Sequence, residues 1–183
     1  MDGVQLLSIL TLVSNVAFVA AAVLFLASRG VKSLKPYWQK VEDYFAKNSI
    51  KFALVVSLVA TFGSLYFSEV RGFEPCKLCW LQRIFMYPLP LILGISLYKK
   101  MKEVGNYVLP MAIIGMAIAA YHYYYQVTGT SLIPCSTVGF SVSCSERFFT
   151  YWGYITIPWM SLSAFVLIGS LMLLASRFLK TRK

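Results

Sequence analysis

The sequence predicts an all-α integral membrane protein, and three observations carry that prediction. The chain has 183 residues, of which 58% are hydrophobic and 13% are charged, whereas a soluble domain has about 45–50% apolar and about 25% charged residues. Its mean hydropathy is +0.68. Its charged residues are separated by long uncharged runs, the longest of which holds 42 residues. These values exclude a water-soluble globule and an intrinsically disordered chain.

The uncharged runs predict five transmembrane helices, because about 20 apolar residues cross the hydrocarbon core as a helix. In chain order the spans are expected at 4–27, 52–68, 78–98, 104–125 and 154–175. The first has no basic residue before it and is longer than the apolar core of a signal peptide, so we expect a retained span. Residues 126–145 are rich in Ser, Thr, Gly and Pro and are expected to form an exposed loop.

The distribution of charge predicts the orientation of the chain. The connections after the first and third spans and the C-terminal tail hold 13 basic and 3 acidic residues, whereas the opposite side holds 4 of each. The positive-inside rule therefore places the N-terminus outside and the C-terminus in the cytoplasm. The net charge of +10 reports topology and does not indicate a nucleic-acid partner. The basic connector, 28–49, is expected to lie along the inner surface.

All four cysteines fall on the predicted outer face, where disulfides form and persist. Cys76 and Cys79 form a Cys-x-x-Cys at the start of the third span, and Cys135 and Cys144 lie in the loop before the fifth. Two structural disulfides would explain the loop cysteines. They would not explain a Cys-x-x-Cys at a helix start, where the helix dipole favours a thiolate. A four-cysteine zinc site would normally show two closely spaced pairs. A two-step redox relay is the favoured interpretation, and no metal is predicted.

The electron acceptor of such a relay is expected to be a lipid-soluble quinone, because the sequence has no Rossmann glycine fingerprint, no haem motif and no soluble domain for a flavin. Arg83 lies one helical turn beyond Cys79, where it is able to bind a quinone carbonyl or to snorkel to the headgroups. Gln82 is a weaker candidate of the same kind. His122, the single histidine, is predicted near the outer end of the fourth span, either in contact with the quinone or as an interfacial residue.

The segment around the Cys-x-x-Cys resembles the DsbB/BdbC family of membrane thiol:quinone oxidoreductases. The resemblance rests on Glu-Pro-Cys-Lys-Leu-Cys-Trp-Leu-Gln-Arg-Ile-Phe-Met-Tyr-Pro-Leu at 74–89, on the later loop pair, on His122, and on Gly153 with Pro158-Trp159. It covers about residues 50–178.

The resemblance implies a four-helix bundle in the bacterial inner membrane that reoxidises a DsbA-like, thioredoxin-fold protein and reduces ubiquinone or menaquinone. Residues 50–183 would form this redox bundle, and 1–49 would add a transmembrane helix and the basic connector. Cys135 would be attacked by the partner, with Cys144 as its loop mate. Cys76 would exchange with the loop pair, through a transient bond to Cys144, and Cys79 would face the quinone beside Arg83 and His122.

Two other functions compete with this one. A vitamin-K-epoxide-reductase-like enzyme would use similar chemistry, but its loop cysteines precede the Cys-x-x-Cys, and here they follow it. A non-catalytic membrane scaffold would use its disulfides only to hold the outer loops together, and these disulfides would not exchange with a partner.

Overall fold

The computed structural model describes residues 2–101, 103–130 and 143–181, with side chains as far as Phe178. The described residues form six α-helices: α1 (Gly3–Gly30), α2 (Lys35–Leu65), α3 (Lys77–Met86), α4 (Pro88–Tyr98), α5 (Gly105–Thr128) and α6 (Ile157–Thr181). The helices α3 and α4 together make one span, so five segments are long and apolar enough to cross a membrane. The predicted all-α fold with five spans is confirmed.

The second span begins at Lys35 rather than near residue 52, because α2 takes in most of the basic connector. Pro36 stands in the first turn of α2, a position where its fixed φ favours a helix start. The expectation that 28–49 lies along the inner surface is therefore wrong. At its C-terminal end the helix continues through one wide π-helical turn, Tyr66–Val70.

The third span is divided at Tyr87, since Pro88 follows it and cannot donate a hydrogen bond to the preceding turn. The short helix α3 therefore ends at Met86. It carries the Cys-x-x-Cys, and α4 completes the span towards the cytoplasmic side predicted for Lys99.

The core lies between α2, α4, α5 and α6, and α6 packs along both α2 and α5. Leu89, Leu93, Val108, Phe165 and Ile168 are fully buried there. The ring of Phe165 fills the space beside Gly115, so a Cβ at that glycine would overlap the ring. α1 lies outside this bundle and packs against α2 and α6.

Candidate redox site

The Cys-x-x-Cys lies at the N-terminal end of α3, where Cys76 is the N-cap residue. Both thiols are free, and their Sγ atoms are 3.1 Å apart. The backbone N–H of Cys79 also donates to Cys76 Sγ over 3.4 Å. Cys76 is buried and Cys79 is half-buried. A thiolate at this position accepts hydrogen bonds from the first turn of the helix and faces the positive end of its dipole.

These contacts lower the pKa of Cys76 from the usual thiol value of 9.0 to about 4. The largest cause is the hydrogen bond that the Cys79 thiol donates, and His122 acts in the same direction, while burial of Cys76 opposes both. Cys76 is therefore a thiolate at neutral pH in the reduced protein. A thiolate stabilised in this way favours the reduced pair and makes the corresponding disulfide a stronger oxidant.

His122, on α5, joins the cysteine pair to the loop that follows α5. Its Nε2 lies 3.1 Å from the carbonyl oxygen of Cys144 and 3.6 Å from Cys76 Sγ. A carbonyl oxygen only accepts, so Nε2 carries the proton and donates. Nδ1 then accepts from Gln82 Nε2 at 2.9 Å. Gln82 and His122 are both buried, and together they hold a proton donor against the Cys76 thiolate.

The end of the loop is folded into the bundle rather than exposed. Cys144 is disulfide-bonded and has no exposed surface, so the expected exposed loop is wrong at this residue. Gln126 donates from Nε2 to the carbonyl oxygen of Glu146 over 2.8 Å, and Arg147 donates back to the carbonyl oxygen of Gln126. Cys135 lies outside the described residues.

Arg83 is hydrogen-bonded to α2. Its Nε donates to Ser64 Oγ over 3.0 Å, and a terminal guanidinium nitrogen donates to the Ser64 carbonyl oxygen over 3.1 Å. Tyr87 donates to the same Ser64 hydroxyl over 3.2 Å. The guanidinium also lies over the ring of Trp80. A cation that is fixed in this way, half-buried in a span, is typical of a binding residue.

A cavity of about 280 Å³ opens beside Cys79. Cys79, Gln82 and Arg83 line it together with the segment 73–75, and most of the remaining lining is apolar and comes from α1, α2 and α6. Its volume is near the lower limit for ligand sites, about 300 Å³. The chemistry of this lining, an apolar slot with a thiol and a guanidinium at one end, fits a quinone ring and the start of its tail.

A second, smaller cavity of about 20 Å³ lies on the other side of the cysteine pair. Cys76 and Cys79 line it together with His122 and with Ser143 and Glu146, which lie within two residues of Cys144 in the chain. Of the two cysteines, Cys79 borders both cavities and Cys76 borders only the small one. The pair therefore stands between the loop and the apolar cavity.

The ligand atoms of Cys76, Cys79 and His122 lie within 4.8 Å of one another. Two thiolates and an imidazole resemble the three protein ligands of some catalytic zinc sites, whereas a structural zinc site uses four. In the structure the same atoms are hydrogen-bonded among themselves and to Cys144, an arrangement that suits thiol exchange.

The structure thus brings together Cys76, Cys79, Gln82 and His122, with Cys144 beside them and Arg83 one turn away in the large cavity. Ser64, which holds Arg83, was not predicted. A hydroxyl at the outer end of the second span was the available signal, but a lone serine in a span is common. The contribution of α1 to the large cavity was not predicted either.

Comparison with known proteins identifies the family of this chain. The family model described as "Disulfide bond formation protein DsbB" matches residues 47–175. Disulfide bond formation protein C of Bacillus subtilis (strain 168) is 53% identical over 127 residues, which cover 67% of this chain and 90% of that protein. A probable disulfide formation protein of Deinococcus radiodurans is 42% identical over 128 residues, which cover 66% of this chain and 83% of that protein. No solved structure matches the chain significantly.

The family match covers more than half of the chain and includes the Cys-x-x-Cys, His122 and Cys144. Five segments able to span a membrane accompany it. The chain is therefore a member of the DsbB family, a multi-pass membrane oxidoreductase of the disulfide-forming type.

Proposed function

We propose that this protein reoxidises a DsbA-like, thioredoxin-fold dithiol protein and passes the electrons through two cysteine pairs to a membrane quinone. The observation that carries the proposal is the position of the Cys76–Cys79 pair. It stands between the buried loop end at Cys144 and an apolar cavity lined by Arg83. Residues 50–183 would form the redox unit and residues 1–49 an addition to it, which agrees with a family match that begins at residue 47.

The first step is an exchange between the partner and the loop pair. A thiolate of the partner attacks Cys135 of a Cys135–Cys144 disulfide, and the Cys144 thiolate leaves. The second thiolate of the partner then attacks the partner sulfur that is bonded to Cys135, which forms the disulfide of the partner and releases the Cys135 thiolate. The partner leaves oxidised, and the loop pair holds two electrons as a dithiol.

The second step moves these electrons to the inner pair. The Cys144 thiolate attacks Cys76 of a Cys76–Cys79 disulfide, which forms a Cys76–Cys144 bond and releases Cys79. Cys135 then attacks Cys144, the loop disulfide forms again, and Cys76 leaves as a thiolate. The low pKa of Cys76, about 4, favours its departure, because a thiol of lower pKa leaves faster. His122 stabilises the same thiolate by donating from Nε2.

The third step restores the inner disulfide. A ubiquinone or menaquinone bound in the large cavity would accept two electrons from the reduced pair, one proton from the Cys79 thiol and a second proton from solvent, since Cys76 is already a thiolate. The residues of the chain supply the geometry: Cys79 borders the cavity, and Arg83, anchored on Ser64, offers its guanidinium to a carbonyl oxygen. Gln82 keeps His122 oriented during the change of charge at Cys76.

The relay is tested with purified protein, a reduced thioredoxin-fold partner and a soluble quinone analogue, followed by quinone absorbance. We expect turnover only when both substrates are present, and its loss in Cys79→Ser and Cys135→Ser. Met101→Ser, an exposed position at the opposite end of the bundle, serves as the control and should keep full activity. Full activity in either cysteine variant would contradict the relay.

We also propose that the protein lies in the bacterial inner membrane with its N-terminus and cysteines outside and its C-terminus in the cytoplasm. The test uses single cysteines at two exposed sites, Val70 and Tyr98, in a chain whose native cysteines are serine. In intact spheroplasts an impermeant maleimide should label Val70→Cys, and Tyr98→Cys only after lysis. The reverse pattern would overturn this orientation.

A further inference from the structure

One wall of the large cavity comes from α1, a helix outside the family match. Leu7, Leu10, Thr11 and Ser14 line the cavity and follow the spacing of a single helix face. The family model begins matching at residue 47, so this wall is an addition to the shared redox unit. On the opposite side the cavity is lined by α2 and α6, including Val59 and Leu167.

The outer half of α1 is seated closely on α2. A Cβ added to Gly63 would stand 3.2 Å from the Leu7 side chain, and one added to Gly3 would stand 2.6 Å from the Tyr66 ring. Asp2 pairs with Arg71 at 3.2 Å and accepts a hydrogen bond from Tyr66 at 3.1 Å. The ion pair is half exposed and contributes little by itself, but together with the close packing it fixes where α1 meets the bundle.

Below Ser14 the wall ends. Residues 16–20 are all exposed, whereas Ala21 and Leu24 are half-buried again. Nearer the end of the helix Ser28 is buried and Phe25 packs on Trp38 at 5.2 Å. α1 therefore covers one side of the outer part of the cavity. Beneath it, at the level of residues 16–20, α1 leaves a lateral opening towards the lipid.

The length of the wall exceeds that of a quinone ring. At 1.5 Å per residue, the stretch from Leu7 to Ser14 extends about 10 Å along the membrane normal, and the α6 lining from Ile157 to Leu167 extends about 15 Å. The thiol and the guanidinium lie at one end only. The hydroxyls of Thr11 and Ser14 already donate to backbone carbonyls of their own helix, so this wall offers mainly apolar contact.

We propose that α1 is a tail-binding element: it encloses the first isoprenoid units of the quinone and directs the tail through the opening below Ser14. This inference rests on the proposed function, since it assigns the part of the substrate that α1 contacts. It predicts that α1 sets affinity for long-tailed quinones and leaves the reacting ring and the thiol exchange unaffected.

The kinetic test compares Thr11→Trp and Ser14→Trp, which fill the cavity from α1, with Val13→Trp, whose side chain is exposed on the same helix. For a long-tailed quinone we expect the KM to rise about tenfold in the two cavity variants, the effect of losing contacts to one or two buried carbon groups. We expect less than a twofold change in the KM of the cavity variants for a tail-less quinone and in the KM of the Val13→Trp control for either quinone. The rate at which one equivalent of partner is oxidised without quinone should also change less than twofold. Equal KM changes for both quinones would overturn the proposal.

A second measurement needs neither a variant nor turnover. Wild-type protein is irradiated with a quinone that carries a diazirine on its first tail unit, and the labelled peptides are identified by mass spectrometry. We expect label within residues 7–14, competed by unlabelled long-tailed quinone. Label confined to other helices would refute the role of α1. If the wild type reduces no quinone, the proposed function fails, while this labelling still decides whether α1 binds the tail.

Discussion

Gln82 donates from Nε2 to Nδ1 of His122 over 2.9 Å, and this hydrogen bond leaves the imidazole proton on Nε2, the atom that faces Cys76 and the Cys144 carbonyl. A glutamine from α3 thus determines which ring nitrogen of a histidine on α5 is the donor. The contact also connects the two cavities, because Gln82 lines the large one and His122 the small one.

Replacing Gln82 with Leu should raise the pKa of Cys76 and lower turnover about tenfold. The buried Nδ1 loses its partner, at a cost of about 1–3 kcal/mol, and the ring is no longer held with Nε2 towards Cys76. The ultraviolet absorbance of the thiolate, followed against pH, measures the first effect, and steady-state turnover measures the second. Gln5→Leu, at an exposed position on α1, should change neither. An unchanged Cys76 titration in Gln82→Leu would contradict this role.

The reduced protein should show a pH dependence set by Cys76. Its pKa is lowered from 9.0 to about 4, so the unfolded state binds the proton more tightly than the folded state. The resulting stabilisation of the reduced protein is fully present above about pH 9, declines as the pH falls, and is lost near pH 4. Unfolding of the reduced protein in detergent, measured from pH 4 to 9, should follow this trend.

The same titration separates the causes of the shift. Cys79→Ala removes the thiol that donates to Cys76, the largest cause, and should raise the pKa of Cys76 most. Cys79→Ser keeps a hydroxyl donor and should keep the pKa lower than in Cys79→Ala. If the two variants titrated alike, the side-chain hydrogen bond would not be the main cause.

Ser64→Ala should weaken quinone binding without slowing exchange with the partner. It removes the hydroxyl that accepts from Arg83 Nε and from Tyr87, a loss of about 1 kcal/mol, or about fivefold in the KM for quinone. Arg83→Met should have a larger effect because the cation itself is lost. Ser68→Ala, whose hydroxyl contacts only its own helical turn and Glu69, is the matched control. An effect of Ser64→Ala on partner oxidation alone would refute the assignment.

Gly115→Ala should destabilise the bundle by about 1–3 kcal/mol, the usual cost of overpacking. Its Cβ would overlap the ring of Phe165, which is fully buried. Gly94→Ala makes the same change in α4, where nothing lies within 4 Å of the added carbon, and it should be neutral or slightly stabilising. Thermal unfolding in detergent compares the two. Equal stability of the two variants would show that the packing between α5 and α6 accommodates the added carbon without cost.

The number of spans and the class of fold followed from the sequence because insertion into lipid depends on local composition. A run without charge long enough to cross the bilayer forms a helix whatever its neighbours are. The same reasoning misjudged the start of α2, since hydropathy detects only the part of a helix that contacts lipid. Lys35 and the residues after it continue the helix through charged turns.

Only part of the site could be predicted from local sequence patterns. The Cys-x-x-Cys and Arg83 are one turn apart in a single helix, so their proximity follows from helical geometry. That His122 meets Cys76 and Gln82, that Ser64 anchors Arg83, and that Cys144 is buried against His122 depend on how α2, α3 and α5 pack and on where the loop folds back.

By itself, then, the sequence determined a membrane-spanning all-α chain with one cysteine pair at the start of the third span and another in the loop before the fifth. Both properties depend only on local composition and spacing. Only the tertiary structure decided which nitrogen of His122 faces the thiolate, which cysteine borders the apolar cavity, and that α1 closes one of its sides. These relationships join residues from different helices. They arise from side-chain packing between elements, which has no periodic signal in the chain.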